Sequence, residues 1–149
     1  MNAQNAYTKQ AEEYKKNQIE TAPPEKILIM LYDGAIRFLL LAKKAMQEQN
    51  LEKANANLIK AQHIIREFMD SLDMEVGGQM AVNLYNLYEY LHYRLVEANI
   101  KKEVVMIDEV LDHLRSLKAT WEEAILITAR SSAQEKALTA HDPDTPLRA

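Results

Sequence analysis

Residues 27–46 read ILIMLYDGAIRFLLLAKKAM, and the fold depends on how this stretch is interpreted. Asp33 and Gly34 lie between two apolar runs, and Asp-Gly in that setting is a strong short-range signal for a β-hairpin. The alternative is one long helix with a glycine near its middle, which is typical of a helical bundle. The spacing of the apolar residues decides between the two.

Helical periodicity continues straight through the glycine. Asp33 and Arg37 are four residues apart, so on a helix they would be neighbours of opposite charge. Pro24 followed by Glu25 is a favourable helix start, because proline suits the first turn and an acidic side chain suits the positive end. A glycine inside a helix costs about 1 kcal/mol relative to alanine, which a buried helix can absorb. We therefore predict a helix with the apolar stripe Leu28, Leu31, Ala35, Phe38, Ala42 and Ala45.

Three further stretches, residues 51–72, 80–99 and 103–126, show the same period. Their apolar residues step by three and four, as Leu58, Ala61 and Ile65 do in the first of them. Each stretch is long enough for about five helical turns or more. The chain has only 3 glycines and 4 prolines, and so few turn formers favour long helices over many short strands. The sequence predicts an all-α fold, an antiparallel up-down four-helix bundle with a short N-terminal arm or helix.

The chain of 149 residues suits a single domain with two flanking segments. We assign residues 1–22 to an N-terminal arm, 23–128 to the bundle and 129–149 to a mobile C-terminal tail. The arm is polar and only weakly helical, whereas the tail loses the strong apolar period and gains proline, serine and threonine. We expect the tail to be dispensable for binding a partner.

The first long helix carries more apolar surface than one face of a bundle helix needs. Either neighbouring helices cover it on both sides, or part of its surface binds a partner. The excess is a second stripe, formed by Ile29, Tyr32, Ile36, Leu39 and Leu40.

Tyrosines in the stretch 80–99 favour the second possibility. Tyr85 and Tyr88 are expected to pack their rings inward while their hydroxyls reach an edge, and Tyr90 and Tyr93 lie toward the opposite face. Tyrosine is favoured at protein interfaces. Exposed tyrosines beside an unusually apolar helix therefore indicate a binding protein.

Composition and charge exclude several classes of protein. Without cysteine, the chain has neither disulfides nor thiolate metal ligands. A formal net charge of −4 argues against nucleic acid as a partner. The polar first residues lack the apolar core of a secretory signal, and the longest apolar run is too short and too charged for membrane insertion. We expect a soluble protein.

No arrangement of residues predicts catalysis or a cofactor. A di-iron bundle needs two Glu-x-x-His pairs, whereas this chain has one, at Glu89 and His92, and Glu89 is expected to point away from the core. We predict no enzymatic activity, no metal site and no cofactor. Two other pairs are four residues apart and are expected to pair on the surface, namely His63 with Glu67 and Glu109 with His113.

Four segments resemble the flagellar secretion chaperone family FliS, whose members are bacterial chaperones of flagellin. They are LIMLYDGAIRFLLLAKKAM, NLIKAQHIIREFMDSLDM, LYEYLHYRLVEANIKKEV and TWEEAI. The likeness covers about residues 5–127. MLYDGAIRF together with YEYLHYRLVEAN, in order and at family-like spacing, is far more specific than any single motif.

The resemblance implies a cytoplasmic chaperone that binds the C-terminal segment of newly made flagellin. It would prevent premature polymerisation and help to deliver flagellin to the flagellar export gate, with other flagellar regulators as further candidate partners. The segment is disordered in the free subunit and would form helices that dock in apolar grooves. The residues expected at this partner-binding surface are Tyr7, Leu28, Leu31, Tyr32, Ile36, Leu39, Leu40, Ile64, Ile65, Tyr88, Tyr90, Leu91, Arg94 and Leu95.

The chain departs from the family at the start of its first long helix, where Pro23 stands in place of a capping serine. Tyr7 lies in an arm that resembles the family segment that covers the groove until flagellin displaces it. The alternative function is a homo-oligomeric helical bundle that uses its excess apolar surface for self-association and has no role with flagellin.

Overall fold

The structure, a computed structural model, describes residues 9–13, 16 and 21–140. Its helices are α1 (Pro24–Gln47), α2 (Leu51–Ser71), α3 (Met74–Lys101) and α4 (Val104–Thr139). Residues 9–13, ahead of α1, are also helical, and none of the described residues lies in a strand. The predicted all-α fold is confirmed. Tyr7 lies outside the described residues.

The Asp33-Gly34 pair lies inside α1, so the helix is confirmed and the hairpin is wrong. Gly34 faces α2, where an added Cβ would lie 3.5 Å from Ile64 Cδ1, an ordinary van der Waals distance. The glycine is therefore tolerated by packing rather than required by it. Asp33 forms an ion pair across to α4, with 2.7 Å between its Oδ1 and Lys118 Nζ, instead of pairing with Arg37.

The residues that precede α1, α2 and α3 satisfy the first backbone amides of these helices in different ways. Pro23, in extended conformation, gives α1 no side-chain cap, and its carbonyl accepts hydrogen bonds from the amides of Lys26 and Ile27. The Asp73 carboxylate accepts from the first amides of α3, and Asn50 accepts from the Lys53 amide at the start of α2. The start of α1 is thus held by backbone alone.

A kink at Gly78 divides α3 soon after its start. Gly78 has φ 53° and ψ −133°, a combination that only glycine adopts without strain, and a Cβ at Gly77 would come within 2.6 Å of the Ala81 Cβ. The helix nevertheless begins at Met74, several residues before the predicted start of its apolar period at Met80. Gly78 therefore interrupts the helical backbone and separates the short first turn of α3 from its long remainder.

Each helix packs against two others, in the cyclic order α1–α2–α3–α4. Short loops make consecutive helices antiparallel, as predicted. The buried face of α1 combines residues from both of its apolar stripes, since Tyr32, Ala35, Leu39 and Ala42 are all fully buried. Two members of the second stripe are therefore core residues and are covered by neighbouring helices.

α4 extends beyond the point where the sequence predicts a tail. It has 36 residues whereas α1 has 24, and residues 129–139 continue the helix with every side chain exposed. Alanine, glutamine, glutamate and lysine sustain a helix by intrinsic propensity, even where no apolar period demands one. The segment from 129 to 139 is therefore an exposed helical extension of the bundle. None of the helices in the described part of the chain has the length and apolar content that crossing a bilayer requires.

Candidate functional site

An aromatic cluster contains one residue from each of the four helices α1–α4. Tyr32 of α1 stacks on Phe68 of α2 with 4.4 Å between ring centroids, and Phe68 contacts Tyr88 of α3 at 5.3 Å. Trp121 Nε1 of α4 donates a hydrogen bond of 3.1 Å to the Tyr32 hydroxyl. Trp121 is thus fixed in place by the core while part of its ring faces outward.

The two phenols of this cluster share a buried hydrogen bond, with 2.5 Å between the Tyr32 and Tyr88 oxygens. Burial raises the pKa of both hydroxyls, that of Tyr32 far above its ordinary value. The Tyr88 hydroxyl is therefore inside the core, and the expectation that it reaches an edge is wrong. Tyr85 is half-buried, and Tyr90 and Tyr93 are exposed as predicted.

An open apolar groove of about 420 Å³ lies between the start of α1 and the second half of α4. Leu28, Trp121 and Ile125 form its apolar surface. Glu25 lies at its edge, and Ala129 and Ser132 extend its wall into the part of α4 beyond 128. The predicted tail therefore begins inside the candidate site.

A second apolar depression lies on the other side of the same helix pair. It is lined by Ile29 of α1 and by Ile125 and Leu126 of α4, with Glu122 among the polar side chains at its edge. Leu126 is 56% exposed and its neighbour Ile127 is 55% exposed. Large apolar side chains therefore project from both sides of α4 at this level, which is the arrangement a docking helix needs.

Ion pairs hold α1 and α4 together above the groove. Lys118 contacts Asp33, which raises the pKa of the lysine, and Lys43 contacts Asp108 at 2.7 Å. Both pairs are partly exposed, so each contributes little energy. They mark the register of α4 along α1, and this register brings Ile125 opposite the first turns of α1.

The predicted site residues in the described part of the chain do not form one surface. Leu28 lines the groove. Leu31, Ile36 and Ile64 are half-buried against the core, and Leu40 is 43% exposed on α1. Six others have no surface for a docked partner in this conformation, because they are fully or almost fully buried, namely Tyr32, Leu39, Ile65, Tyr88, Leu91 and Leu95.

Tyr90 and Arg94 belong to a polar network between α3 and α4. The Tyr90 hydroxyl donates to Glu109, and the Arg94 guanidinium contacts the same carboxylate at 2.7 and 2.9 Å. The hydrogen bond from Tyr90 and the charge of Arg94 lower the pKa of Glu109, and the Tyr90 and Arg94 pKa values are raised in return. Glu109 therefore pairs across helices, rather than with His113 as expected.

The groove residues that the site prediction missed are on α4. Trp121 and Ile125 continue the apolar period of residues 103–126, which predicts that they face the core, and Leu126 lies outside that period. A usable signal was present, because Ile125, Leu126 and Ile127 are consecutive and cannot share one helical face. The same kind of apolar excess had drawn attention to α1.

Comparisons with known proteins agree with this architecture. The sequence profile of one family, described as "Flagellar protein FliS", matches residues 5–128. The chain belongs to the FliS family. Among its relatives, the flagellar secretion chaperone FliS of Bacillus subtilis (strain 168) is 36% identical over 125 residues, which is 84% of this chain and 90% of that protein. The Vibrio cholerae flagellar secretion chaperone FliS is 38% identical over 114 residues, or 74% of this chain and 84% of that protein.

A solved structure described as "Crystal structure of flagellar chaperone from bacteria" shares the fold. Its TM-score is 0.65 at 21% identity, and the match covers 79% of this chain and 96% of that one. Members of the FliS family are chaperones rather than enzymes. The chain is accordingly a chaperone of flagellar protein export.

Proposed function

We propose that this FliS-family protein binds the C-terminal segment of flagellin in the groove between α1 and α4. The observation that carries the proposal is the apolar surface of Leu28, Trp121 and Ile125, together with the adjoining depression that the exposed Leu126 lines. A chaperone of flagellar export needs an apolar site for an export substrate, and flagellin is the substrate that the family resemblance implies.

The binding mode that fits this groove is an amphipathic helix laid along α4. Its apolar side chains would enter the depressions on either side of Ile125, and the exposed helix beyond 128 would lengthen the contact surface. A segment that is disordered when free loses conformational entropy as it folds on the chaperone, which moderates the affinity and permits later release.

This mode accounts for the chaperone role. A flagellin segment held on α4 cannot pack against other flagellin subunits, so polymerisation is delayed in the cytoplasm until export. The bound pair would then be presented to the export gate. The six buried residues of the predicted site act in this proposal as the packed support of the groove rather than as contacts.

Calorimetry and circular dichroism on a mixture with the flagellin C-terminal segment test the proposal. We expect a 1:1 complex and a gain in helicity that exceeds the sum of the separate spectra. Leu126→Gln should weaken binding by at least about tenfold, equivalent to about 1.4 kcal/mol. The matched control is Val105→Gln, which changes another exposed apolar side chain, 74% exposed, on the same helix away from the groove.

Two outcomes would contradict the proposal. A folded chaperone that gives neither heat nor added helicity would show that flagellin is not its ligand. Equal affinities of Leu126→Gln and Val105→Gln would place flagellin elsewhere. The homo-oligomeric alternative predicts instead that the mass in solution rises with concentration, and that Leu126→Gln lowers it.

A further inference from the structure

A second surface lies between α2 and α3, on the opposite side of the ring of helices from the groove between α1 and α4. Gln62, His63 and Arg66 of α2 and His92 of α3 enclose a cleft of about 220 Å³. Imidazole and guanidinium groups donate hydrogen bonds well to oxyanions, and Arg in particular matches a carboxylate. The shape and donor set of the cleft fit an oxyanion.

Positive charge is not balanced in this cleft. His63 and Arg66 form no ion pair within the described residues, although Glu67 lies one turn beyond His63 on α2. Burial lowers the pKa of His92, and the charges of Arg66 and His63 lower it further, with no carboxylate acting in the other direction. The expected surface pair of His63 with Glu67 is therefore absent from the structure.

This positive cleft stands out in an acidic protein. The chain has a formal net charge of −4. The nearest acidic side chains along the two helices are Glu67 on α2 and Glu89 on α3, and neither of them lines the cleft. A local positive site on an otherwise acidic chain selects for a negatively charged ligand group by charge complementarity.

An apolar cleft continues from the positive one, and Gln62 lines both. Ile59 of α2 and Val96 and Ile100 of α3 provide its apolar surface, and Ile100 is 77% exposed. A free inorganic anion would use only the positive half. A ligand that fills both halves carries a carboxylate and, about two turns away on one face, apolar side chains.

We propose that the surface between α2 and α3 docks an acidic amphipathic helix of a second protein, with a glutamate or aspartate side chain in the His63–Arg66–His92 cleft and apolar side chains on Ile59 and Ile100. This partner binds independently of flagellin, because the two surfaces are on opposite sides of the bundle. Binding strengthens as the pH falls, since protonation of His92, whose pKa burial and Arg66 lower in the free protein, adds positive charge facing the carboxylate. His92 from α3 sets this dependence, Arg66 and His63 face it from α2, and Glu67 and Glu89 lie at the flanks.

The probe is a synthetic helical peptide with leucines on one face and glutamates one to two turns away, together with the same peptide carrying glutamine in place of glutamate. Calorimetry against the full chain at about pH 5.5 and about pH 8 spans the titration of histidine. We expect the glutamate peptide to bind at least about tenfold more tightly at the lower pH and the glutamine peptide to bind weakly at both. NMR should show the lowered pKa of His92 rising when the glutamate peptide is added.

Matched arginine variants locate the site. Arg66→Gln should lose at least about tenfold in affinity for the glutamate peptide, whereas Arg115→Gln, which changes an exposed arginine of α4 outside the cleft, should bind like the wild type. Both arginines are exposed, so both variants should fold, and circular dichroism checks this.

Four results would overturn the proposal. The glutamate and glutamine peptides could bind alike, or Arg66→Gln and Arg115→Gln could behave alike. Inorganic phosphate could raise the pKa of His92 where the peptide does not, which would make the cleft a site for a free anion. Displacement of the peptide by the flagellin segment would show that the two surfaces are not independent.

Discussion

Replacing Tyr32 with phenylalanine would remove the hydroxyl group that links α1, α3 and α4. This oxygen accepts a hydrogen bond from Trp121 Nε1 at 3.1 Å and lies 2.5 Å from the Tyr88 hydroxyl. Tyr32 is 0% exposed and Tyr88 is 2% exposed, so water cannot replace the lost partner. Leaving a buried polar group unsatisfied costs about 1–3 kcal/mol, and we expect Tyr32→Phe to lower the free energy of unfolding by that amount.

Urea denaturation followed by circular dichroism measures the change. Tyr93→Phe is the matched control, because Tyr93 is 60% exposed and its hydroxyl is free to bond with water. We expect the control to stay within about 0.5 kcal/mol of the wild type. Equal effects of the two substitutions would refute the claim that the buried hydroxyl network stabilises the bundle.

The double variant Tyr32→Phe/Tyr88→Phe separates the network from simple packing. Replacing both partners with apolar groups of the same shape leaves no orphaned phenol, so the double variant should cost less than the sum of the single ones. We expect a coupling energy of about 0.5–3 kcal/mol between the two positions. Additive costs would mean that the hydroxyls do not depend on each other.

The same two hydroxyls predict a loss of stability at alkaline pH. Burial raises the pKa of Tyr32 and Tyr88 in the folded protein, so the unfolded chain releases these protons first. Above about pH 10, the free energy of unfolding should fall by about 1.4 kcal/mol per pH unit for each phenol. Tyr32→Phe should reduce this slope, and identical slopes for variant and wild type would contradict the assignment.

Three further perturbations test other parts of the account. Gly34→Ala should raise the free energy of unfolding by about 0.5–1 kcal/mol. The added methyl group lies at an ordinary distance from Ile64, and alanine restricts the unfolded chain more than glycine does. A lower melting temperature than that of the wild type would contradict this prediction. Truncation after Thr128 removes Ala129 and the exposed end of α4, so calorimetry should show a loss of about tenfold in flagellin affinity with little change in stability, and unchanged affinity would exclude the extension from the site. Deletion of residues 1–18 should increase binding of a hydrophobic dye and self-association if the arm covers the groove, and an unchanged dye signal would show that it does not.

The number and type of the helices could be predicted from the sequence because a helical period persists over many turns. In α1 the helical period was a better guide than the local Asp33-Gly34 turn signal. The free energy gained by packing a whole apolar face exceeds the free-energy cost of one glycine in the helix. The position of the kink at Gly78 was harder to predict, because a glycine pair is equally compatible with the end of a helix and with a kink inside one.

The rotation of α1 about its axis could not be predicted from its own residues. Both apolar stripes were possible core faces, and the structure buries Ala35 and Ala42 from one together with Tyr32 and Leu39 from the other. Contacts from two neighbouring helices, including the aromatic ring of Phe68, decide that rotation. Partner-facing residues could therefore not be separated from core residues by periodicity.

The groove was missed for a related reason. It joins the first turns of α1 to the second half of α4, roughly a hundred residues later in the chain, and depends on the register of these antiparallel helices. The ion pair of Asp33 with Lys118 indicates that register only after the structure is known. The extension of α4 past residue 128 depends on the helix propensity of exposed residues. An apolar period predicts only helices that bury one face, so it could not predict this extension.

Trp121 provides the most direct test of the central claim that flagellin occupies the groove between α1 and α4. It is the only tryptophan of the chain, it lines the groove, and its indole is fixed by the hydrogen bond to Tyr32. Titration with a flagellin C-terminal segment that lacks tryptophan should shift the Trp121 emission to shorter wavelength and saturate at one equivalent, because the docked helix excludes water from the ring. Binding detected by calorimetry without any change in Trp121 emission would contradict the account, because it would mean that flagellin docks on another face of the bundle.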